Sequence, residues 1–148
     1  MRSLARRSLA RALVDTGALI ALVNRADRHH AAALDWFGKF RGLMLTTEAV
    51  ITETAYILAA SRAHQRAALL WVERARSAGL VQVEPVVSHA RLDEIIAKYA
   101  RLRCDYADAT LIALAEQGGV TTIATIDQRD FSVYRTVGRK RFRIVLGP

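Results

Sequence analysis

The chain has 148 residues, enough for one domain with a proper core. Apolar residues make up 52% of it, which excludes a disordered chain, and a single cysteine, Cys104, excludes an intrachain disulfide. A formal charge of +8 and an isoelectric point near 10.5 favour a polyanionic partner, nucleic acid first, over the plainer reading of general solubility.

Residues 1–10 (MRSLARRSLA) read as a basic tail, followed by a single domain over 11–148. The apolar stretch after the tail is not a secretory signal, because Asp15 interrupts it and no small-x-small cleavage site follows. No apolar run approaches a membrane span. One cysteine is consistent with a reducing cytoplasm, and Cys104 reads as a structural thiol.

In chain order, residues 11–15 (RALVD) form a short buried strand, Thr16 and Gly17 turn the chain, and ALIALVN starts a helix. Residues 29–40 have helical apolar spacing at Ala33, Trp36, Phe37 and Phe40. That stripe is read as core first and as a homodimer or partner face second. LML, 43–45, is a second strand, and Thr46 and Thr47 cap a helix running to about Ala60. A helix over 64–77 is ended by Gly79. LVQVEPV, 80–86, is a third strand, and Ser88 caps a helix over 89–102. Asp105 caps the next helix, 106–117, which Gly118-Gly119 ends. TTIATI, 121–126, and FRIVL, 142–146, are the last strands. Short apolar strands separated by helices predict an α/β fold with a parallel sheet covered on both faces.

Four acids sit where apolar runs end or apolar helices pass: Asp15 in ALVDTGALIALV, Glu53 in AVITETAYIL, Asp108 in DYADATLIALA and Asp127 in TIATIDQRDF. A carboxylate among apolar side chains is costly unless something compensates it. The cheapest shared compensator is a divalent cation, so convergence of the four would make a metal-dependent phosphodiesterase site. In open parallel sheets such sites lie beyond the carboxyl ends of strands, where Asp15 and Asp127 fall. Each acid also has an ordinary reading. Asp15 can cap the helix after it, and the pairs Asp105/Asp108 and Asp127/Asp130 have the spacing of a cap and its first-turn acid. Glu53 is hardest to explain that way, since it lies in mid-helix on a face with Ala49, Tyr56 and Ile57 that looks buried. An arginine partner is the remaining alternative for it.

These motifs together resemble the PIN domains, and within them the small toxin ribonucleases called VapC. The resemblance runs from Leu13 over nearly the whole chain: LVDTGALIALV, TEAVITETAYIL, DATLIALA and TIDQRDF, in that order. It implies a three-layer α/β/α sandwich with a five-stranded parallel sheet, Mg²⁺ or Mn²⁺ at the acidic cluster, and endonucleolytic cleavage of RNA. The family's acids fall on Asp15, Glu53, Asp108 and Asp127, with Asp130 as an additional acid. Thr16 follows the first acid, and Thr125 fits the hydroxyl position that arranges the last. Asp15 and Asp108 are expected as principal metal ligands, and Asp127 as a ligand of a second or weaker ion or as a water-orienting group. Mg²⁺ takes hard oxygen ligands and keeps several waters, which suits hydrolysis of a phosphodiester. A toxin of this kind implies a small antitoxin partner, and a homodimer is also expected. Arg129, Arg139 and Arg141 are the arginines singled out for guiding RNA, with Arg101, Arg103, Arg135 and Arg143 in reserve. The run GRKRFR has the alternative reading of a charged sheet edge. Tyr106 and Tyr134 are candidates for base stacking, against a reading as core or rim.

LVDTGA is also the pattern of retroviral-type aspartic proteases, but that fold is all-β and this chain has at least five helical stretches. A receiver domain needs an adjacent acidic pair and a late lysine, which DTG and RIVLGP do not supply. The non-enzyme alternative is a PIN-like module that binds RNA or protein without cutting.

Overall fold

The computed structural model describes residues 9–146. Five strands, β1 (Ala10–Val14), β2 (Gly42–Thr47), β3 (Val81–Glu84), β4 (Thr122–Ala124) and β5 (Arg143–Ile144), form one sheet in the order β3-β2-β1-β4-β5. Every pairing is parallel. Helices α1 (Thr16–Val23), α2 (His30–Lys39), α3 (Glu48–Ile57), α4 (Arg62–Ser77), α5 (His89–Lys98), α6 (Tyr106–Gly118) and α7 (Gln128–Val133) complete a three-layer α/β/α sandwich. Parallel neighbours need crossovers, and helices supply them.

β1 is the middle strand, and Ala12, Leu13 and Val14 are buried, as expected for a strand covered on both faces. Leu13 is level with Leu45 of β2 and with Ile123 of β4. From β1 the chain moves outward through β2 to β3, then crosses back to β4 and β5 on the other side. The boundary between β1 and β4 is therefore the topological switch point, where open α/β sheets leave a crevice. Gly42 lets β1 and β2 approach closely, since a Cβ there would stand 2.2 Å from the Ala10 carbonyl oxygen. α6 is apolar on almost every side (Ala107 and Ala109 through Ala115 are buried) and lies against α5 and α3. An all-round apolar helix belongs in the interior. Gly119 ends it with φ +64°, as the Gly118-Gly119 pair predicts.

Several boundaries differ from the sequence reading. Thr46 is not a cap: it belongs to β2 and its hydroxyl donates to the Val14 carbonyl (3.0 Å), while Thr47 alone caps α3. The helix expected to reach Ala60 ends at Ile57 and tightens into a 3₁₀ turn over Leu58–Ala60. The helix expected over 89–102 likewise ends at Lys98, with a 3₁₀ turn over Ala100–Leu102. β1 begins at Ala10, a residue read as tail, and the rest of that tail lies outside the described residues apart from Leu9. Of α7 only the cap and first-turn pair Asp127/Asp130 is legible in the sequence; its extent over Gln128–Val133 is not. The aromatic stripe of α2 is half-buried, with Trp36 stacked on Phe40 at 4.7 Å and Phe37 edge-on to Trp71 of α4 at 5.3 Å. No helix among the described residues is long and apolar enough to cross a membrane.

Candidate active site

Asp15 follows β1 directly and caps α1: the Ala18 N–H donates to its Oδ1 (2.9 Å). Its other oxygen, Oδ2, accepts from the hydroxyl of Thr125, the residue just past β4. Asp15 is only 6% exposed, and burial pushes its carboxyl up to about 7. The hydrogen bonds from Thr125 and Ala18 oppose that rise, while the charges of Asp127 and Glu53 add to it. Thr125 also accepts from the Asp127 N–H (2.9 Å), so one hydroxyl links the ends of β1 and β4 across the switch point.

Asp108 lies in the first turn of α6, whose N-cap is Asp105 (Asp108 N–H to Asp105 Oδ1, 2.8 Å). Burial first, and the neighbouring charge of Asp105 second, push the Asp108 carboxyl up to about 7. Asp127 caps α7 by accepting from the Asp130 N–H (3.0 Å). One carboxylate oxygen from each of Asp108, Asp127 and Asp130 lies within 4.8 Å of the others. Asp130 is held above the ordinary carboxylate range, by desolvation and then by Asp127.

Glu53 faces this cluster from the middle of α3, and the Thr16 hydroxyl donates to its Oε2 (3.1 Å). Its carboxyl is also raised, first by desolvation and then by Asp105. The expected burial around it is not found. Tyr56 is 81% exposed and Ile57 51%, so the apolar face of α3 is the wall of an open groove. The arginine alternative also fails among the described residues: the ion pairs are Lys39–Asp35, Arg91–Glu94 and Arg91–Glu116, and none reaches these acids.

The structure thus brings Asp15, Glu53, Asp108 and Asp127 into one electrostatic cluster, and the capping and site readings prove compatible. Each N-cap uses one oxygen of its aspartate for the helix. Asp130, expected as an accessory acid, stands inside the tightest grouping, whereas Asp15, expected as a principal ligand, lies outside that triad. Two residues were underrated by the sequence reading. Asp105 is more than a cap, because its charge bears on both Glu53 and Asp108. Tyr134 takes the core position that was the alternative to base stacking: it is fully buried between Tyr99 and Phe131, and its hydroxyl donates to Asp108 Oδ2 (3.0 Å). Its place directly after α7 was the available signal, but the Asp127/Asp130 cap pair does not show in sequence how far α7 runs. Cys104 is buried beside this pair, and burial pushes its thiol up to about 11, which suits an inert structural thiol.

Arg129, Arg139 and Arg141 are exposed. Arg135 is not free for a ligand: its guanidinium closes α7 by donating to the carbonyls of Ser132, Val133 and Tyr134. Oxygen donors at this spacing, raised chiefly by burial, with a basic charge opposing that only at Asp130 (from Arg129) and no ion pair to them among the described residues, fit a hard divalent cation.

A family model described as PIN domain matches residues 12–136. The chain belongs to the PIN domain family. This PIN domain is 27% identical over 139 residues to ribonuclease VapC26 of Mycobacterium tuberculosis, covering 90% of the chain and 98% of the relative. Among solved structures it is similar to VapC20 of Mycobacterium tuberculosis, a sarcin-ricin loop cleaving toxin. That match has a TM-score of 0.66 at 24% identity and covers 81% of this chain and 92% of VapC20. It supports the PIN fold.

Proposed function

We propose that this PIN domain is a metal-dependent endoribonuclease and the toxin component of a toxin–antitoxin pair. The observation that carries the reading is the convergence of Asp15, Glu53, Asp108 and Asp127 at the β1/β4 switch point, with Asp130 beside them and no arginine or lysine ion-paired to them among the described residues. The likeness to a ribonuclease over nearly the full length of both chains supports it.

In this reading Asp108, Asp127 and Asp130 would hold Mg²⁺, or Mn²⁺ in its place, with the carboxylate of Asp15 close enough to add its charge. The ion when bound supplies a Lewis acid that lowers the pKa of an attacking water and offsets charge developing on the phosphate. Tyr134 fixes the carboxyl plane of Asp108, Thr125 that of Asp15, and Thr16 that of Glu53. Glu53, at the groove side, accepts a proton from or orients the incoming water. Arg129, Arg139 and Arg141 attract the RNA backbone. A small antitoxin protein, a homodimer, a cytoplasmic location and a single domain over 11–148 belong to the same reading.

The test is cleavage of a mixed RNA pool by the purified protein in Mg²⁺, Mn²⁺ or EDTA, with Asp15→Asn and Asp108→Asn alongside. Cleavage that needs the metal and vanishes in both variants is expected. A folded, partner-free protein that cuts nothing in any metal would instead identify a binding module.

A further inference from the structure

Beside the acidic cluster lies an open groove of about 640 Å³, large enough for a small planar ligand. One wall is α3, with Thr52, Glu53 and Tyr56; the other is the start of α6, with Asp105 and Tyr106. Pro85 and Val86, just past β3, close it. Tyr56 is 81% exposed and Tyr106 47%, and neither ring packs on another aromatic among the described residues. Tyr56 lies one helical turn beyond Glu53, and Tyr106 is next to Asp105, so both rings border the acids directly.

We propose that this groove is a base subsite, which takes one unpaired nucleobase bearing an exocyclic amino group from the strand being cut. The inference rests on the ribonuclease reading and adds to it where the base next to the scissile phosphate goes. Exposed tyrosine faces stack on unpaired bases, and every base offers a π-face. Of the remaining lining residues, Ala49 and Ala107 are apolar, and the polar ones, Glu48 and Glu84, are carboxylates. They repel phosphate, so the backbone stays outside and the base enters. A carboxylate accepts from the cytosine N4 amino group, whereas uracil presents a carbonyl oxygen at that position. Because the groove opens on Glu53, a strand lying at the acids must run past it.

The test is fluorescence anisotropy of labelled heptanucleotides, oligocytidylate against oligouridylate, on the Asp15→Asn protein in Mg²⁺. Oligocytidylate is expected to bind about tenfold more tightly than oligouridylate. Tyr56→Ala and Tyr106→Ala should each weaken oligocytidylate about tenfold, Tyr56→Phe should not, and Glu84→Gln should narrow the cytidine preference. Both tyrosines are exposed, so melting temperatures should hold and folding failure is not a confounder. Equal binding of the two oligonucleotides, or tyrosine variants within twofold of the parent, would overturn the subsite. If the wild type cuts RNA while either of those holds, the subsite alone fails; if neither RNA is cut nor oligonucleotide bound, it falls with the nuclease reading. A basic peptide whose binding depends on Tyr56 and Tyr106 while RNA binding ignores them would also overturn it.

Discussion

Asp15 and Asp108 carry carboxyls pushed up to about 7, and this has a direction in pH. Both are raised above their unfolded values, so between the unfolded pKa and about 7 the native state binds more protons than the unfolded chain. Stability from these groups is present in full below the unfolded carboxylate pKa, declines as pH rises through about 7, and then levels off. Without divalent cations the protein should melt several degrees higher at pH 5 than at pH 8 by calorimetry. Saturating Mg²⁺ should raise the melting temperature more at pH 8 than at pH 5, because the ion must displace protons at the lower pH. A pH-independent melting temperature in EDTA would contradict the clustering of these acids. Tyr134 supports the same cluster through its hydrogen bond to Asp108, with the Cys104 thiol beside its hydroxyl and aromatic rings around its own. Tyr134→Phe keeps the ring and removes the donor. The variant should lose about 1–2 kcal/mol of stability and bind Mg²⁺ at least about tenfold more weakly by titration calorimetry. Unchanged affinity would reduce Tyr134 to a packing residue.

Three acids of this region, Asp15, Asp105 and Asp127, are helix N-caps, placed where backbone N–H groups and the helix dipole favour negative charge. Asp105 allows the capping role to be separated from the charge. Asp105→Asn keeps an acceptor for the Asp108 N–H and should melt at or above the parent temperature, because one like charge beside Glu53 and Asp108 is removed. Asp105→Ala loses the acceptor and should cost about 1 kcal/mol in a denaturant titration. These caps also explain what was legible. Asp15, Asp108 and Asp127 stood out because each interrupts an apolar run at a helix start, and a helix start is visible in sequence. Beyond that start α7 was illegible, because QRDFSV is six residues long, too short for a 3.6-residue period to show, and it is held by the tertiary burial of Phe131. Tyr134 follows that short helix, so its core position could be read but its hydrogen bond to Asp108 could not. The error at Glu53 has another origin. Ala49, Tyr56 and Ile57 look like a buried stripe, and only the placement of α6 and the segment after β3 reveals a groove in front of Ala49 and Tyr56, with Ile57 left exposed.

At the scale of the molecule, the strand order is what gathers acids from four separate segments. The alternation of short apolar runs with helices was enough to read a parallel sheet, but not the switch between β1 and β4. That order is fixed by long-range pairing such as Leu13 with Ile123, which leaves no local mark on the sequence. The net charge of +8 acts on the same scale, as a field that draws in a polyanion. Affinity for single-stranded RNA should therefore fall linearly with salt on logarithmic axes. Arg129→Ala, Arg139→Ala or Arg141→Ala should each flatten that slope by about 0.7 if its guanidinium sits on a phosphate. Filter binding across a salt series measures it, and an arginine whose loss leaves the slope untouched lies off the RNA path.

The cluster also joins parts of the chain with unequal persistence. The buried end of β1, Leu13 and Val14, lies between β2 and β4, and α6 is enclosed almost all round, so their amide protons should exchange only when the whole molecule opens. α7 has six residues and one buried anchor, Phe131, and it belongs to the units that open locally. Asp127 and Asp130 travel with α7 while Asp108 stays with α6 and Asp15 with β1. A chelator should thus strip the ion by way of one lifted helical turn, leaving behind a protein that is metal-free and still folded.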